Sequence, residues 1–137
     1  MEATANRLLE LRIPADTRYI ALVRRGLRNL AESVGFPRED TADVEVAVSE
    51  AVANSVMHGS PDPDSSAVVV KCRAATDWVV VEVEDEGAKE SLPARSRTRS
   101  RRAENGRGLF MMRELMDRCD NCRTERGFRV TMTKQRR

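Results

Sequence analysis

The sequence is poor in aromatic residues, histidine and cysteine, and each shortage narrows the possible functions. Aromatic residues make up 4% of the 137 positions, so valine, leucine, alanine and methionine must fill the core. His58 is the only histidine, which excludes a histidine-rich metal site. The three cysteines are an odd number and fit a reducing compartment better than a disulfide framework.

The chain also lacks a long apolar run and a strong net charge. No stretch approaches the roughly 20 apolar residues that a membrane-spanning helix needs, and residues 1–14 lack the apolar centre of a secretory signal. Charged residues make up 34% of the chain, but the net charge is only +2, so a case for nucleic-acid binding would have to be local. We expect one cytoplasmic domain spanning residues 1–137, without a membrane partner.

One stretch, Asp43 to Gly59 (DVEVAVSEAVANSVMHG), has the periodicity of a helix. Its small and apolar stripe consists of Val44, Ala47, Val48, Ala51 and Ser55. Glu50, Asn54 and His58 are four residues apart and predict a second row, along the margin of that stripe. Polar groups held partly buried at the margin of a core are well placed for chemistry.

Two elements are predicted before this stretch. Residues 8–13 indicate a strand, and Asp16 can cap the helix that follows. The residues predicted to face the core are Leu9, Leu11 and Ile13 of the strand and Ile20, Val23, Leu27, Leu30, Ala31 and Val34 of the helix. Asp40 can then start the central helix and complement its N-terminal dipole.

Two β-rich runs, residues 67–74 and 78–85, are separated by so short a turn that they predict an antiparallel hairpin. Strict alternation puts Asp85 on the same face as the core valines of the second run. A carboxylate there is costly unless something hydrogen-bonds to it. Two interpretations stay open: backbone donors that cap the strand end, and a ligand, which Gly87 would allow to come close.

A long polar connection, residues 86–105, comes next, and arginine occupies five of the eight positions from 95 to 102. A connection of about 20 residues in a compact domain is usually functional or disordered. Gly106, Arg107 and Gly108 then open a third helix. The apolar stripe of this helix is Leu109, Met112 and Met116. Glycines before a helix N-terminus suit phosphate, although such a short motif by itself fits an ordinary turn into a helix better.

A closing hairpin completes the order of elements. Residues 119–125 and 128–133 predict its strands, with the turn at residues 126–127. The side chains predicted to face inward are Phe128, Val130 and Met132. The order β-α-α-β-β-loop-α-β-β predicts an α+β fold, a two-layer α/β sandwich with helices on one face of the sheet.

Three of these segments together resemble the GHKL (histidine kinase-like) ATPase superfamily. They are Glu50-x-x-x-Asn54-x-x-x-His58, Asp85-x-Gly87 and Gly106-x-Gly108. Within that superfamily, the segments VSEAVANSVMHG and GRGLFMMRELMD are similar to the corresponding sequences of bacterial anti-sigma regulatory factors that act as serine kinases. The resemblance covers about residues 8–133. It implies one domain of the GHKL (Bergerat) type, with a mixed, mostly antiparallel sheet and residues 86–105 as a mobile lid.

The resemblance implies ATP and Mg²⁺ as cofactors and gives individual residues roles. Asn54 corresponds to the amide that ligates Mg²⁺, and Glu50 to the carboxylate proposed as general base for the accepting serine. Asp85 corresponds to the residue that accepts a hydrogen bond from the adenine amino group, and Gly87 to the glycine beside the adenine. The phosphate-side residues are Gly106, Arg107 and Gly108.

The implied function is that of an ATP-dependent protein-serine kinase and anti-sigma factor. Such a protein sequesters a sigma factor and phosphorylates a serine of an anti-sigma-factor antagonist. The added charge and bulk break the complex between the kinase and that antagonist. The resemblance also implies a homodimer, and no direct contact with nucleic acid is expected.

Phe128 departs from the family pattern, because a threonine often follows the glycine that corresponds to Gly127. The loss of that hydroxyl keeps open an alternative function: a nucleotide-dependent regulatory binding module with little or no kinase activity. Nucleic-acid binding through the arginine-rich residues 95–102 is a third hypothesis, although no aromatic residue is interleaved there for base stacking.

Other candidate chemistries have less support. His58 fits a local hydrogen-bonding role better than catalysis. Ser49 and Ser55 do not share its row, so a hydrolase triad is not expected. Cys119 and Cys122 could begin a zinc site, but four ligands are needed and the chain has no second cysteine pair.

Overall fold

The computed structural model describes residues 6–59, 66–85, 110–125 and 127–137. The strands are β1 (Arg7–Pro14), β2 (Ala67–Ala74), β3 (Trp78–Asp85), β4 (Arg118–Arg123) and β5 (Phe128–Gln135). The helices are α1 (Ile20–Ser33), α2 (Arg38–Asn54) and α3 (residues 110–115). A 3₁₀ turn, Thr17–Tyr19, precedes α1, and a π-helical turn, Ser55–Gly59, follows α2.

The described strands form one sheet in the order β1-β2-β3-β5-β4, and each described pairing is antiparallel. Strand β3 therefore lies at the centre. Its Val83 pairs with Val70 of β2 and with Val130 of β5, which places apolar side chains next to one another across three strands. The hairpin predicted for residues 67–74 and 78–85 is present with those bounds.

Helices α1 and α2 cover one face of this sheet. Helix α1 contacts β1 and β2, while α2 contacts α1, β3 and β5. Lys71 and Arg73 are exposed on the opposite face, so the predicted two-layer α+β architecture is confirmed. No helix in the described ranges is long and apolar enough to cross a membrane.

Helix α1 has the predicted apolar face but not the predicted cap. Val23, Leu27 and Ala31 are buried. Asp16 accepts a hydrogen bond from the backbone N–H of Arg18 at 2.9 Å, so it caps the 3₁₀ turn rather than the α-helix itself. The prediction that Asp16 caps the α-helix is wrong by one short element, the 3₁₀ turn. The hydrogen bonds of such a turn leave no separate signal in the spacing of apolar residues.

Both ends of α2 differ from the prediction. The helix begins at Arg38, after the extended Pro37, and Asp40 lies in its first turn. There the Asp40 carboxylate accepts from the backbone N–H of Arg137 at 3.1 Å. The regular helix ends at Asn54, and the backbone continues as the π-helical turn. Glu50 and Asn54 therefore share a row, but the spacing that added His58 to that row does not apply beyond Asn54.

A fully buried lysine joins β5 to α2 and α3. The side chain of Lys134 is 0% exposed. Its Nζ donates to Asp43 Oδ2 at 3.0 Å and to the carbonyl oxygen of Leu115 at 2.7 Å. The carbonyl groups in the last turn of a helix have no partner within the helix, so the ammonium satisfies one of them while it pairs with the carboxylate.

A second ion pair joins α1 to α2. Glu45 is 7% exposed, and both of its carboxylate oxygens accept hydrogen bonds from Arg28, at 2.8 and 3.0 Å. Arg24 Nη2 lies 3.6 Å from Oε1. The hydrogen bonds from Arg28 lower the pKa of the Glu45 carboxyl, against the opposing effect of burial, and the positive charges of Arg28 and Arg24 lower it further.

We predict that Lys134→Met destabilises the fold by about 1–3 kcal/mol, because it leaves the Asp43 carboxylate and the Leu115 carbonyl without their shared donor. Methionine keeps most of the side-chain length and fills the space with an apolar chain. Urea unfolding measures the change. Lys71→Met, on the exposed face, is the matched control and should change stability by no more than about 0.5 kcal/mol. Equal losses in the two variants would contradict the role of Lys134.

We also predict that the stabilisation from Glu45 depends on pH. The folded pKa lies below the ordinary value of 4.5, so the stabilising effect is fully present above that value and disappears as the pH falls through the folded pKa. Glu45→Gln should cost on the order of 1 kcal/mol at neutral pH, and its difference from the wild type should shrink in acid. Urea unfolding at several pH values measures this, with the exposed Glu125→Gln as control. A difference that stays constant with pH would refute it.

Candidate functional site

A cluster of buried and half-buried residues lies where β3 ends beside the turn between β4 and β5. We call Asp85, Thr124, Gly127 and Phe128 the Asp85 cluster. Asp85 is the last residue of the central strand and is 2% exposed. The backbone N–H of Phe128 donates to Asp85 Oδ1 at 3.2 Å. The core-facing position predicted for this carboxylate is confirmed, and so is a backbone donor at the strand end. Because a carboxylate accepts up to about four hydrogen bonds, this bond does not exclude a ligand.

The β4–β5 turn is held in shape by its own residues. The backbone N–H of Thr124 donates to the Gly127 carbonyl at 2.7 Å, and the Gly127 N–H donates to Thr124 Oγ1 at 3.0 Å. These reciprocal bonds close the turn directly before β5 begins at Phe128. The turn therefore presents the first N–H of β5 to the carboxylate of Asp85.

Gly127 packs against Asp85 so closely that no side chain fits. A Cβ atom on Gly127 would meet the Asp85 carboxylate and would lie 2.7 Å from the Asp85 carbonyl oxygen. The second obstacle is backbone, which cannot rotate away as a flexible side chain can. Gly127 is thus a requirement of the close approach between the turn and the end of β3.

Helix α2 supplies the second part of the candidate site. Its predicted apolar stripe is buried: Val44, Ala47, Val48 and Ala51 are at most 1% exposed. Glu50 and Asn54 lie half-buried along the margin, one turn apart on the last two turns. The π-helical turn Ser55–Gly59 continues from Asn54 and contacts β3. The helix therefore holds a carboxylate and an amide on a rigid support beside the central strand.

Several predicted site residues fall outside the described part of the chain. They are Gly87, Gly106, Arg107 and Gly108, together with the lid at residues 86–105 and its arginine-rich part at 95–102. Within the described helix α3, Met112 is 1% exposed, and Met116, just beyond the helix, is 5% exposed. The apolar stripe predicted for these two methionines is confirmed.

The cysteines do not form a metal site in the described residues. Cys119 and Cys122 are separated by two residues within β4, so alternation points their side chains to opposite faces. The described residues contain no group of three or more histidine, cysteine, aspartate or glutamate side chains suited to a metal ion. Cys72 is buried, and burial raises its pKa to about 12, so it is unreactive at neutral pH.

The sequence pattern gives no indication of the main-chain contribution of residues 127–128. The family resemblance points only to the side chain of Phe128 and the hydroxyl that this residue lacks. The structure shows that the N–H of Phe128 and the bare Cα of Gly127 form the contact with Asp85. A glycine directly before a strand with alternating apolar residues was the available signal. It does not identify Asp85, which lies 43 positions from Phe128 in sequence.

We predict that Gly127→Ala destabilises the fold by about 1–3 kcal/mol, because the new methyl group overlaps the backbone of Asp85. The matched control is Gly26→Ala in the middle of α1. Its methyl group would lie 2.9 Å from the end of the flexible Leu9 side chain, which can rotate away, and alanine favours helix. Thermal or urea unfolding compares them. The close contact at Gly127 is refuted if the two variants are equally stable.

Comparison with known proteins agrees with this architecture. A profile of the histidine kinase-like ATPase domain matches residues 13–134. The serine-protein kinase RsbW of Bacillus velezensis is 32% identical over 135 residues, covering 92% of this chain and 84% of that protein. The serine-protein kinase RsbW of Listeria monocytogenes is 33% identical, covering 96% of this chain and 89% of its own length.

Two solved structures are also similar. The crystal structure of the RsbU and RsbW domains of Rv1364c from Mycobacterium tuberculosis matches 95% of this chain with a TM-score of 0.72 and 25% identity, and this chain spans 32% of that protein's chain. The histidine kinase domain from the Erythrobacter litoralis EL346 blue-light activated histidine kinase matches with a TM-score of 0.55 and 18% identity, a likeness of fold alone. From the profile and the relatives together, the chain belongs to the histidine kinase-like ATPase domain family, in the group that contains the serine-protein kinase RsbW.

Proposed function

We propose that this protein is an ATP-dependent anti-sigma factor that sequesters a sigma factor and phosphorylates a serine of the anti-sigma-factor antagonist, the protein that opposes it. The main observation in its support is that Glu50 and Asn54 lie half-buried on helix α2, which contacts β3, and that the carboxylate of Asp85 is buried at the end of β3. Membership of the RsbW-containing group supports the choice of a protein-serine kinase over other users of ATP.

Asp85 is the residue that we assign to the adenine amino group. Its carboxylate accepts a hydrogen bond from the backbone N–H of Phe128 and lies at the end of the strand rather than inside the sheet. A fixed acceptor of this kind recognises an N–H donor on a flat base. We assign Gly87 to the same end of the nucleotide, and Gly106, Arg107 and Gly108 to its phosphates, from the family pattern.

The residues present fit a magnesium ion bound together with a triphosphate. The described residues hold no acidic cluster that could bind a metal by protein ligands alone, whereas Asn54 offers one amide oxygen at the end of α2. Mg²⁺ characteristically takes one or two protein oxygens and completes its octahedral shell with phosphate and water. We propose that Asn54 holds the ion, which would neutralise charge on the phosphates.

Glu50 is proposed as the general base. Four residues, a rise of about 6 Å along the helix, separate it from Asn54, so its carboxylate would lie near the reacting phosphate without being a ligand of the magnesium ion. The serine oxygen forms a bond to the γ-phosphorus while the bond from that phosphorus to the β–γ bridging oxygen breaks. The serine proton passes to the Glu50 carboxylate, and ADP leaves with the bridging oxygen. The added charge would then separate the antagonist from this protein.

The alternative, a nucleotide-dependent binding module with little or no kinase activity, is favoured by one observation. Phe128 donates its main-chain N–H to Asp85, but it has no side-chain hydroxyl where many family members have one. A homodimer stays a prediction, which the mass of the protein in solution would decide. Nucleic-acid binding through residues 95–102 also stays a prediction, which a salt titration of RNA or DNA binding would test.

We predict that Glu50→Gln binds Mg-ATP with a dissociation constant within about threefold of the wild type but transfers phosphate at least about 100-fold more slowly. The amide keeps the size of the side chain and cannot take the serine proton. The experiment incubates the full chain with labelled ATP and the antagonist captured from an extract of the native cells. It measures label on the antagonist, and nucleotide binding by calorimetry.

Glu39→Gln is the matched control for this experiment, because it makes the same change on an exposed position at the other end of α2. It should transfer phosphate at the wild-type rate. Full activity of Glu50→Gln would remove Glu50 from the role of base. A wild-type chain that binds ATP but never labels the antagonist would instead identify the binding module.

A further inference from the structure

The C-terminal end of α3 is attached to three consecutive residues of β5. Lys134 Nζ donates to the carbonyl oxygen of Leu115 at 2.7 Å. On either side of this lysine, the N–H of Asp117 donates to the Thr133 carbonyl at 2.9 Å, and the Asp117 carboxylate accepts from the N–H of Gln135 at 2.6 Å. We call these three hydrogen bonds the α3 clamp. They hold the end of the helix at one register along β5.

The lysine of the α3 clamp also reaches α2, so it joins two helices. Its Nζ lies 3.0 Å from Asp43 Oδ2, and its side chain is fully buried. An ammonium group donates hydrogen bonds and accepts none, and burial makes the loss of any acceptor costly. The position of Nζ therefore fixes Asp43 on α2 and Leu115 on α3 relative to each other.

Packing alone does not require a charge at position 134. Replacing a buried ion pair by apolar side chains of similar size is often neutral or even stabilising. Apolar contacts have no preferred direction, so they allow two helices to slide past each other. A hydrogen bond, in contrast, weakens steeply when its angle falls below about 120°. The lysine therefore contributes a defined placement of α3 against α2 in addition to stability.

Both helices lead to residues that we propose for the phosphates and their magnesium ion. Helix α2 ends at Asn54, the proposed magnesium ligand. Gly108 stands two positions before Phe110, the first residue of α3, and two residues of chain span at most about 7 Å. The placement of α3 therefore limits where Gly106, Arg107 and Gly108 can lie. A misplacement of about 1 Å in a positioned group can cost about 100-fold in rate.

We infer that the α3 clamp, with Lys134 at its centre, positions α3 against α2 so that residues 106–108 and Asn54 bind the same triphosphate. The inference rests on the proposed function, which assigns those residues to the phosphates and to magnesium. Lys134 is a positioning residue that acts through α3, because its buried ammonium is already bonded to Leu115 and Asp43. Its loss should therefore weaken binding of the phosphates and not of the nucleoside.

The test compares ATP with adenosine, because only ATP carries phosphates. NMR titrations of the full chain, with Mg²⁺ present throughout, give both dissociation constants. For Lys134→Met we expect the preference for ATP over adenosine to fall about tenfold, the effect of about one lost hydrogen bond to a phosphate. A merely structural loss does not have this effect. A partly unfolded variant binds both ligands less well by the same factor, so the ratio of the two constants stays unchanged.

Two further variants separate the positioning of α3 from stability. Val23→Ala is the control for lost stability, because Val23 is 1% exposed and lies on α1, to which no phosphate contact is assigned. It should weaken folding and leave the ratio unchanged. Asp117→Ala alters the α3 clamp without touching the buried lysine. Asp117 is exposed, so this variant is expected to fold, and the lost bond to Gln135 should lower the ratio about two- to threefold.

An unchanged ratio in folded Lys134→Met overturns the inference, as does an equal fall in Val23→Ala. If Lys134→Met fails to fold, Asp117→Ala decides: a lower ratio supports the inference, and an unchanged ratio overturns it. A wild-type chain that binds ATP no better than adenosine would instead overturn the assignment of the phosphate residues, and with it the proposed function.

Discussion

A carboxylate buried at the end of the central strand places the strongest constraint on this end of the fold. Asp85 is 2% exposed, and a charge in that position needs hydrogen-bond donors. The donor that the structure identifies comes from the start of β5, through the backbone of Phe128. That contact requires β5, rather than β4, to lie beside β3, and it requires Gly127 to have no side chain. The contact to Asp85, the shape of the last turn and the glycine therefore depend on one another.

Two ion pairs then hold helix α2 in position relative to this site. Lys134 joins its first half to β5 and α3, and Glu45 joins it to α1. Both charged groups are buried, so each is stabilising only while its partners are present. Glu50 and Asn54 lie on the last two turns of the same helix. Their positions relative to the central strand therefore depend on contacts that are remote from any proposed chemistry.

Much of the architecture could be predicted because periodicity is a local signal. The strands at residues 67–74 and 78–85 and the buried stripe of α2 are present as predicted. The errors lie at element ends. Asp16 caps a 3₁₀ turn rather than α1, α2 begins before Asp40, and the backbone becomes π-helical after Asn54. Caps and helix type depend on which hydrogen bonds form at an end, and apolar spacing carries little information about that choice.

By itself, the sequence determined the apolar faces of the first two helices and of the central strand, and it placed Asp85 on an inner face by alternation alone. Only the tertiary structure showed that Lys134 is also buried, and only it decided what these two groups contact. The Phe128 donor lies 43 positions from Asp85, and Asp43 lies 91 positions from Lys134. Periods of 2 and 3.6 residues describe one element at a time, whereas a buried polar group obtains its partners from the elements that packing brings beside it.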